Sequence, residues 1–573
     1  MDAMSEQVSS ASAPRSSTLT AEAPGPAARS IAQSVWLAGI FVLFSLVWFA
    51  SLGARSLITP DEGRYSSLSL GMLQSGDWIT PRLNGVLYFE KPALQYWLGA
   101  LSFKLFGVTE FAARLWPGLA GYLTVLVVGY TAYRLWGREA GIRALAICAS
   151  MTWIIGNSHF LTLDAGLAFF LTLALCGLLL SGTASGSVRR NWIWLAWAAM
   201  AGAVLSKGLV GLVIPGAALV LVSLWRRDVG LWRGMHWWSG GLIFLVLAAP
   251  WFVAVSLRNP GFADFFFIHE HFTRFLSTEH RREGAWWYFG PMLLAGMLPW
   301  TSALPWLFHR SGPEAPVAAG SITARQALIV WAGFVLVFFS MSGSKLPSYI
   351  LPMFPPLALL LALRLRDVAP STLRWHLLVP TLLWFVALVL STQAHRFASG
   401  NTPVAVLGPL ESALRSGAAL FLAGAALAWW LLGRRRTTAA ILSVAMTQFL
   451  ACTLVMASHD SFGQLKSAAP FAKVLRPLLA ADTPVFSVRD YDQTLPFYLG
   501  RNVALVDYED EFKFGQSQEA DRWMSLEEFV TRWRALPQAA AYMGRPLFTE
   551  LDGRGLPMRV LFQDARRVVV MKR

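Results

Sequence analysis

Apolar runs of about 18 to 25 residues recur through most of this 573-residue chain, and no other feature constrains its fold as tightly. A run of that length crosses the hydrocarbon of a bilayer as one helix, the conformation that satisfies each backbone polar group inside the segment. The expected fold class is a polytopic α-helical membrane protein. About thirteen candidate spans can be marked, at 33–53, 113–135, 141–157, 161–181, 191–206, 208–225, 237–257, 288–308, 326–342, 347–363, 375–393, 413–433 and 437–457. Pro215, Pro250, Pro299, Pro305, Pro352, Pro355 and Pro356 interrupt several of them, which bilayer helices tolerate when neighbours satisfy the freed backbone groups. Residues 1–30, rich in Ser, Ala and Pro and lacking an apolar run, read as a disordered cytoplasmic tail. Cys148, Cys176 and Cys452 all lie inside apolar runs, so they imply neither a disulfide framework nor a metal site.

The formal net charge of +15 sits largely in arginines beside the spans. One set of alternate links carries Arg134, Arg138 and Arg143, then Arg189 and Arg190, then Arg226, Arg227 and Arg233, then Arg310 and Arg325, and later Arg364, Arg366, Arg374 and Arg434 to Arg436. The opposite short links offer only Lys207, Lys345 and Arg396, so the arginine-rich side is read as cytoplasmic. An odd number of spans then puts everything after 457 outside, which in a bacterium is the periplasm.

Groups able to do chemistry collect on that outer side. The first external loop, 54–112, contains Thr59-Pro60-Asp61-Glu62-Gly63-Arg64-Tyr65 and Tyr88-Phe89-Glu90-Lys91-Pro92. With only 14% of residues charged, two clusters of mixed charge beside a bilayer call for a reason. A wet surface loop would be reason enough if they stood alone. They are joined by His159 and Asp164, by Asp264, His269-Glu270-His271, Arg274, Arg281 and Arg282 in the loop 258–287, and by Lys345 and Tyr349. Within the first loop, Tyr65, Leu68, Leu70, Met72 and Leu73 suit a short interfacial helix ended near Ser75-Gly76. Asn84-Gly85 predicts a tight hairpin that returns Glu90-Lys91 toward Asp61-Glu62, and a further amphipathic helix should follow Pro92.

From about 458 to 573 the pattern becomes that of a small soluble α/β domain, with strands expected at 484–488, 503–506 and 567–571 and a helix at 526–536. It has no Gly-rich phosphate loop, and Asp507 to Glu511 reads as a solvated acidic turn.

This order of motifs resembles the membrane glycosyltransferases that use polyprenyl-phosphate sugars, the GT-C superfamily that includes the protein O-mannosyltransferases. Within it, the chain is most similar to the bacterial aminoarabinose (4-amino-4-deoxy-L-arabinose) transferases that modify lipid A. The resemblance implies a transmembrane glycosyltransferase domain over 31–457 and a periplasmic domain over 458–573. It implies an inverting transfer from undecaprenyl phosphate to a lipid A phosphate, among membrane lipids, with no nucleotide cofactor and no nucleic-acid partner.

That chemistry assigns expectations to residues. The donor leaves as a phosphate, so cations should meet it: Arg64 and Lys91 first, with Lys345 and Tyr349 as further ligands. Lys207, Lys345 and Tyr349 all stand at span ends, where reaching the interface is the alternative reading. The transition state carries positive charge at the sugar, so a carboxylate should stand near it: Asp61, with Glu62 beside it and Asp164 as a selector of the amino group, the capping of a helix being the equal alternative for Asp164. Tyr65 and Tyr88 are expected to contact substrate. Glu90, His269 and His271 are the candidate ligands of a structural zinc that the resemblance suggests. Two histidines at i and i+2 share a face only on an extended segment, and a wet interfacial pair is the alternative. Two other functions compete: a protein O-mannosyltransferase, and a transporter or flippase of polyprenyl-linked sugars, which should carry ionisable groups at the bilayer midplane.

Overall fold

Leucine, alanine and valine dominate the spans, and in the computed structural model they form long helices. The structure describes residues 26–273, 284–308, 323–399 and 403–573. The chain divides into two units, Met1–Val47 and Trp48–Arg573. Over its described residues the first unit is helical, forming most of α1 (Pro26–Ala50). That helix begins inside the expected tail, so Pro26 to Ser30 are helical where a disordered segment is expected. Proline at the first helical position, where its missing N–H has no intrahelical partner in any case, is the local reason.

In the second unit come α2 (Asp61–Ser75), strands β1 (Arg82–Leu83) and β2 (Val86–Leu87), α3 (Leu94–Phe106), α4 (Glu110–Trp136), α5 (Arg138–Ser150), α6 (Thr152–His159), α7 (Asp164–Ser181), α8 (Gly186–Lys207) and α9 (Val210–Arg226). Further long helices follow at Trp237–Arg258, Ala324–Met341, Phe354–Arg364, Leu378–Ser391, Val404–Gly433 and Thr437–Ser458. Among the described residues, nine helices are long and apolar enough to cross a membrane, and α5 with α6 would make a tenth.

Not every expected span is one straight helix. The span at 141–157 breaks between α5 and α6 with a bend of 60° and no proline. Ser150 Oγ turns back to the carbonyls of Ala146 and Ile147 at 2.8 and 3.1 Å, and the Thr152 amide leaves the ladder to donate to Leu298 O at 3.1 Å. The span at 288–308 splits into Phe289–Gly296 and a 3₁₀ segment at Thr301–Phe308, and the span at 208–225 is the 17-residue α9.

Helix direction separates the two kinds of loop. Arg114, near the start of α4, bonds to α2, whereas Arg134 is in the last turn. The helical stretch between them is about 30 Å long, a hydrocarbon thickness. At the far end Arg143 ties the arginine-rich links together, donating to Leu365 O at 3.1 Å and Thr438 Oγ1 at 3.0 Å.

The first loop folds as its local signals predict. Gly76 closes α2 in the left-handed region, φ 71°, donating to Met72 O at 3.1 Å. Asn84 and Gly85, both at positive φ, make the two-residue turn between antiparallel β1 and β2. The interfacial setting expected for α2 is not found, because Glu62 to Leu70 and Met72 are all buried. The C-terminal domain covers it.

That domain is a five-stranded sheet in the order β4-β3-β5-β7-β6, where β3 is Val485–Val488, β4 Ala504–Val506, β5 Ala540–Gly544, β6 Met558–Gln563 and β7 Arg567–Lys572. β3 runs parallel to β4 and β5, and β7 is antiparallel to both β5 and β6. Alternation along the strands feeds two cores. Phe486, Val488, Ala541, Met543, Val568 and Val570 pack under helix Leu526–Ala535, whereas Val485, Leu505, Ala540, Tyr542 and Val569 join Tyr65, Leu68, Tyr88, Phe89 and Tyr96 of the first loop. Loop and domain thus share one hydrophobic core.

Candidate active site

The start of α2 puts two carboxylates on different faces of one helical turn, and the two have different tasks. Glu62 is 2% exposed and its oxygens are fully engaged. Arg114 donates to Oε1 at 2.6 Å and to Oε2 at 2.8 Å, Leu161 N and Ile58 N each donate at 3.1 Å, and Arg55 stands 3.8 Å away. Burial alone would raise the Glu62 carboxyl, but the Arg114 charge and hydrogen bonds outweigh it and hold it below the usual range. Arg55 is drawn down to about 10 by burial and then by its neighbour Arg114. The remaining Arg114 donors take the carbonyls of Leu52, Arg55 and Ser56. Glu62, expected among the catalytic carboxylates, is therefore placed as the anchor of the loop, with no oxygen left for substrate.

Asp61 is the carboxylate that faces outward, with its side chain 39% exposed. One turn on, Arg64 Nη1 donates to it at 3.0 Å, and Nη2 stands 3.5 Å from Glu511 Oε1 of the C-terminal domain. Burial would lower the Arg64 proton affinity, yet the negative charges of Glu511 and Glu90 outweigh it and raise it, so the guanidinium stays charged. Tyr65 and Tyr88 are buried, which pushes both phenols up and keeps them protonated donors. The Tyr65 ring lies 6.3 Å from Tyr96. The structure thus brings Asp61, Arg64, Tyr65, Tyr88 and Glu90 into one electrostatic neighbourhood, as the hairpin at Asn84-Gly85 implies.

Lys91 Nζ donates to Glu90 O, the carbonyl of its chain neighbour, at 2.6 Å. Asp164, at the first position of α7, is 5% exposed and paired with Lys207, while Ser348 Oγ donates to its other oxygen at 2.7 Å. Lys207 Nζ also lies 4.3 Å from the centre of the Tyr349 ring. Lys345 is buried and donates to Ser342 O at 2.7 Å. Lys207, readable as a lysine that simply reaches the interface, is thus the counter-ion of Asp164.

The segment Asp264–Thr273 is π-helical, so the extended backbone that would align positions 269 and 271 is absent. The side chain of His271, like that of Glu270, lies outside the described residues, as do Arg274, Arg281 and Arg282. Phe89, next to Glu90, packs on Phe262 and Phe514 at 5.2 and 5.8 Å, and Phe265 stacks on Phe514 at 4.1 Å and on His269 at 5.1 Å. One aromatic seam therefore carries both Glu90 and His269, a carboxylate and an imidazole of the kind zinc accepts. Among the described residues no three His, Cys, Asp or Glu side chains are grouped to hold a metal ion.

Beyond Arg55 and Arg114, the residues that sequence reasoning misses belong to the C-terminal domain. Gln493 bonds Thr59, accepts from Ser67 Oγ through its carbonyl at 2.9 Å, and donates to Glu511 Oε1 at 2.8 Å. Tyr498 OH accepts from Leu57 N at 2.7 Å and donates to Glu110 at 3.1 Å. Asp507 to Glu511 is only partly the solvated turn expected, because the Glu511 side chain is 3% exposed.

Comparisons with known proteins follow the same two parts. The model of dolichyl-phosphate-mannose-protein mannosyltransferases matches residues 34–266, and that of the aminoarabinose transferase C-terminal domain matches 471–572. The chain is similar to an undecaprenyl phosphate-alpha-4-amino-4-deoxy-L-arabinose arabinosyl transferase of Erwinia tasmaniensis, 33% identical over 56% of this chain and 58% of that one. Its counterpart in Pseudomonas aeruginosa (strain UCBPP-PA14) is 34% identical over 56% and 58%. These alignments span less than two thirds of the relatives' length. The crystal structure of ArnT from Cupriavidus metallidurans bound to undecaprenyl phosphate superposes with a TM-score of 0.89 at 34% identity, covering 94% of this chain and 98% of that one. The apo form of the same protein gives 0.87 at 35% identity.

Proposed function

The chain belongs to the aminoarabinose transferase (ArnT) family of GT-C glycosyltransferases, and from that membership we propose that it transfers 4-amino-4-deoxy-L-arabinose from undecaprenyl phosphate to a phosphate of lipid A. The observation that carries this reading is the Asp61–Arg64 pair, a half-exposed carboxylate 3.0 Å from a guanidinium at the start of α2. Departure of a lipid phosphate from the sugar develops negative charge on the leaving oxygen, and Arg64 with Lys91 supplies fixed positive charge there, in place of a nucleotide's metal clamp. Positive charge develops at the anomeric carbon in the same step, where Asp61 stabilises it. A lipid A phosphate is already anionic, so Asp61 need only orient it while it attacks the face opposite the leaving group, inverting the centre. Neutral Tyr65 and Tyr88 donate hydrogen bonds, Lys345 and Tyr349 are further ligands of the donor phosphate, and Asp164 selects the amino group.

The enzyme on this reading sits in the bacterial inner membrane with the site on the periplasmic face, the arginine-rich helix ends being cytoplasmic. A positively charged sugar on lipid A reduces the negative charge of the outer membrane and its affinity for polymyxin-type cationic peptides. A structural zinc between Glu90 and a histidine of Asp264–Thr273 belongs to the same proposal. It would pin that segment to the first loop, and metal content measured with and without Glu90→Ala checks it.

Mass spectrometry of lipid A from cells making the wild type or Asp61→Ala tests the transfer. Loss of the aminoarabinose increment at normal protein level is the expected result. Unchanged lipid A together with altered protein glycans would favour an O-mannosyltransferase, the reading that the match over residues 34–266 supports.

A further inference from the structure

Arg64 is held unevenly. Its contact with Asp61, on its own helix, is 3.0 Å, but its contact with Glu511 is 3.5 Å. Glu511 is held more closely from its own domain: Gln493 Nε2 donates to the same Oε1 at 2.8 Å, and Tyr508 OH stands 3.5 Å from Oε2. Separation of Glu511 from Arg64 would leave those bonds standing. Arg64 Nε is buried and has no hydrogen-bond partner among the described residues. Nε and Nη2 form one edge of a guanidinium, the fork that grips two phosphate oxygens at once. The edge suited to a phosphate is therefore the one on which Nε is unengaged and Nη2 is loosely paired.

The charges point the same way. One guanidinium already faces two carboxylates, and a phosphate arriving as well would crowd three anions around a largely buried cation. Exchange of one carboxylate restores the balance, and Asp61, one turn away on the same helix, is the one in closer contact with Arg64, at 3.0 Å against 3.5 Å. Burial raises the proton affinity of Glu511 above the usual carboxylate range, so a carboxyl released from Arg64 can take a proton from water instead of remaining an unpaired buried anion.

We propose that Glu511, supplied by the C-terminal domain, is the resident counter-ion of Arg64 and is exchanged for the phosphate of the lipid donor, so that this domain sets how tightly the phosphate lipid is held. The inference rests on Arg64 being a donor-phosphate ligand. Glu511 is a positioning residue here, touching Arg64 and no reacting atom.

Undecaprenyl phosphate titrated into the full-length protein in detergent tests it, with melting temperatures as a check on folding. Glu511→Gln removes the competing charge and should bind the lipid about fivefold tighter, with stronger inhibition of the reaction by this product. Glu511→Asp, which withdraws the carboxylate by one methylene, should tighten binding in the same direction by about twofold and carries the test if the glutamine variant does not fold. A merely structural role predicts weaker binding. Affinity equal to or weaker than wild type in the folded variants overturns the exchange while leaving the donor assignment intact. Failure of the wild type to bind undecaprenyl phosphate overturns both.

Discussion

Arg114 and Glu62, 52 residues apart in the chain, meet as a two-pronged ion pair, with Nε–Oε1 2.6 Å and Nη2–Oε2 2.8 Å, both side chains essentially without solvent contact. The pair fixes the first turn of α2 against the first residues of α4, and so determines where Asp61 and Arg64 stand. Removing one partner leaves the other charged and dry. Glu62→Ala or Arg114→Ala should cost roughly 3–5 kcal/mol, read as a large drop in melting temperature in detergent.

The same pair has an acid signature. The folded-state carboxyl of Glu62 lies below its ordinary value of 4.5, so its stabilisation is complete above that value and is lost as pH falls through the depressed folded one. Thermal stability should therefore be insensitive to this group from neutrality to about pH 5 and decline only in stronger acid. Melting curves from pH 7 to 3, with Glu62→Gln lacking that share of the decline, check the sign.

Gly63 tests the seam between α2 and the C-terminal domain. A Cβ there would lie 2.4 Å from both Gln493 C and Thr494 N, backbone atoms that have nowhere to go. Gly63→Ala should force the two apart at a cost of about 1–3 kcal/mol. Faster hydrogen exchange at 57–70 and 490–495 would report it, and an unaltered exchange pattern would contradict it.

Asp164 and Lys207 make a second buried pair, within reach of Tyr349. Asp164→Asn and Lys207→Met should each destabilise the protein more than the double substitution does, because either single change strands one partner. A thermal-melt double-mutant cycle with a coupling of about 1 kcal/mol or more is the expected outcome.

What could be read from sequence was local. The Asn84-Gly85 hairpin, the end of α2 at Gly76 and the helix at 526–536 all follow from residues within a few positions of one another. Strands β5 and β6 escaped: Ala540–Gly544 is short and mostly small, and Met558–Gln563 lacks alternation. The division of labour between Asp61 and Glu62 could not be seen, because it depends on Arg114, an arginine at the edge of an apolar run whose partner is set only by packing. The break at Met151 was hidden for the same reason, since its cause is the carbonyl of Leu298. Glu511 and Gln493 sit in a stretch that reads as ordinary surface until α2 is laid against it.

Asn84 does more than turn the hairpin: its amide both gives to Val503 O at 2.7 Å and takes from Val503 N at 2.8 Å, as a neighbouring strand would. Hybrid enzymes built from two relatives should therefore inherit residues 54–106 and the last hundred or so from the same parent. A graft that takes one without the other would join surfaces that never evolved together, whatever its transmembrane helices do.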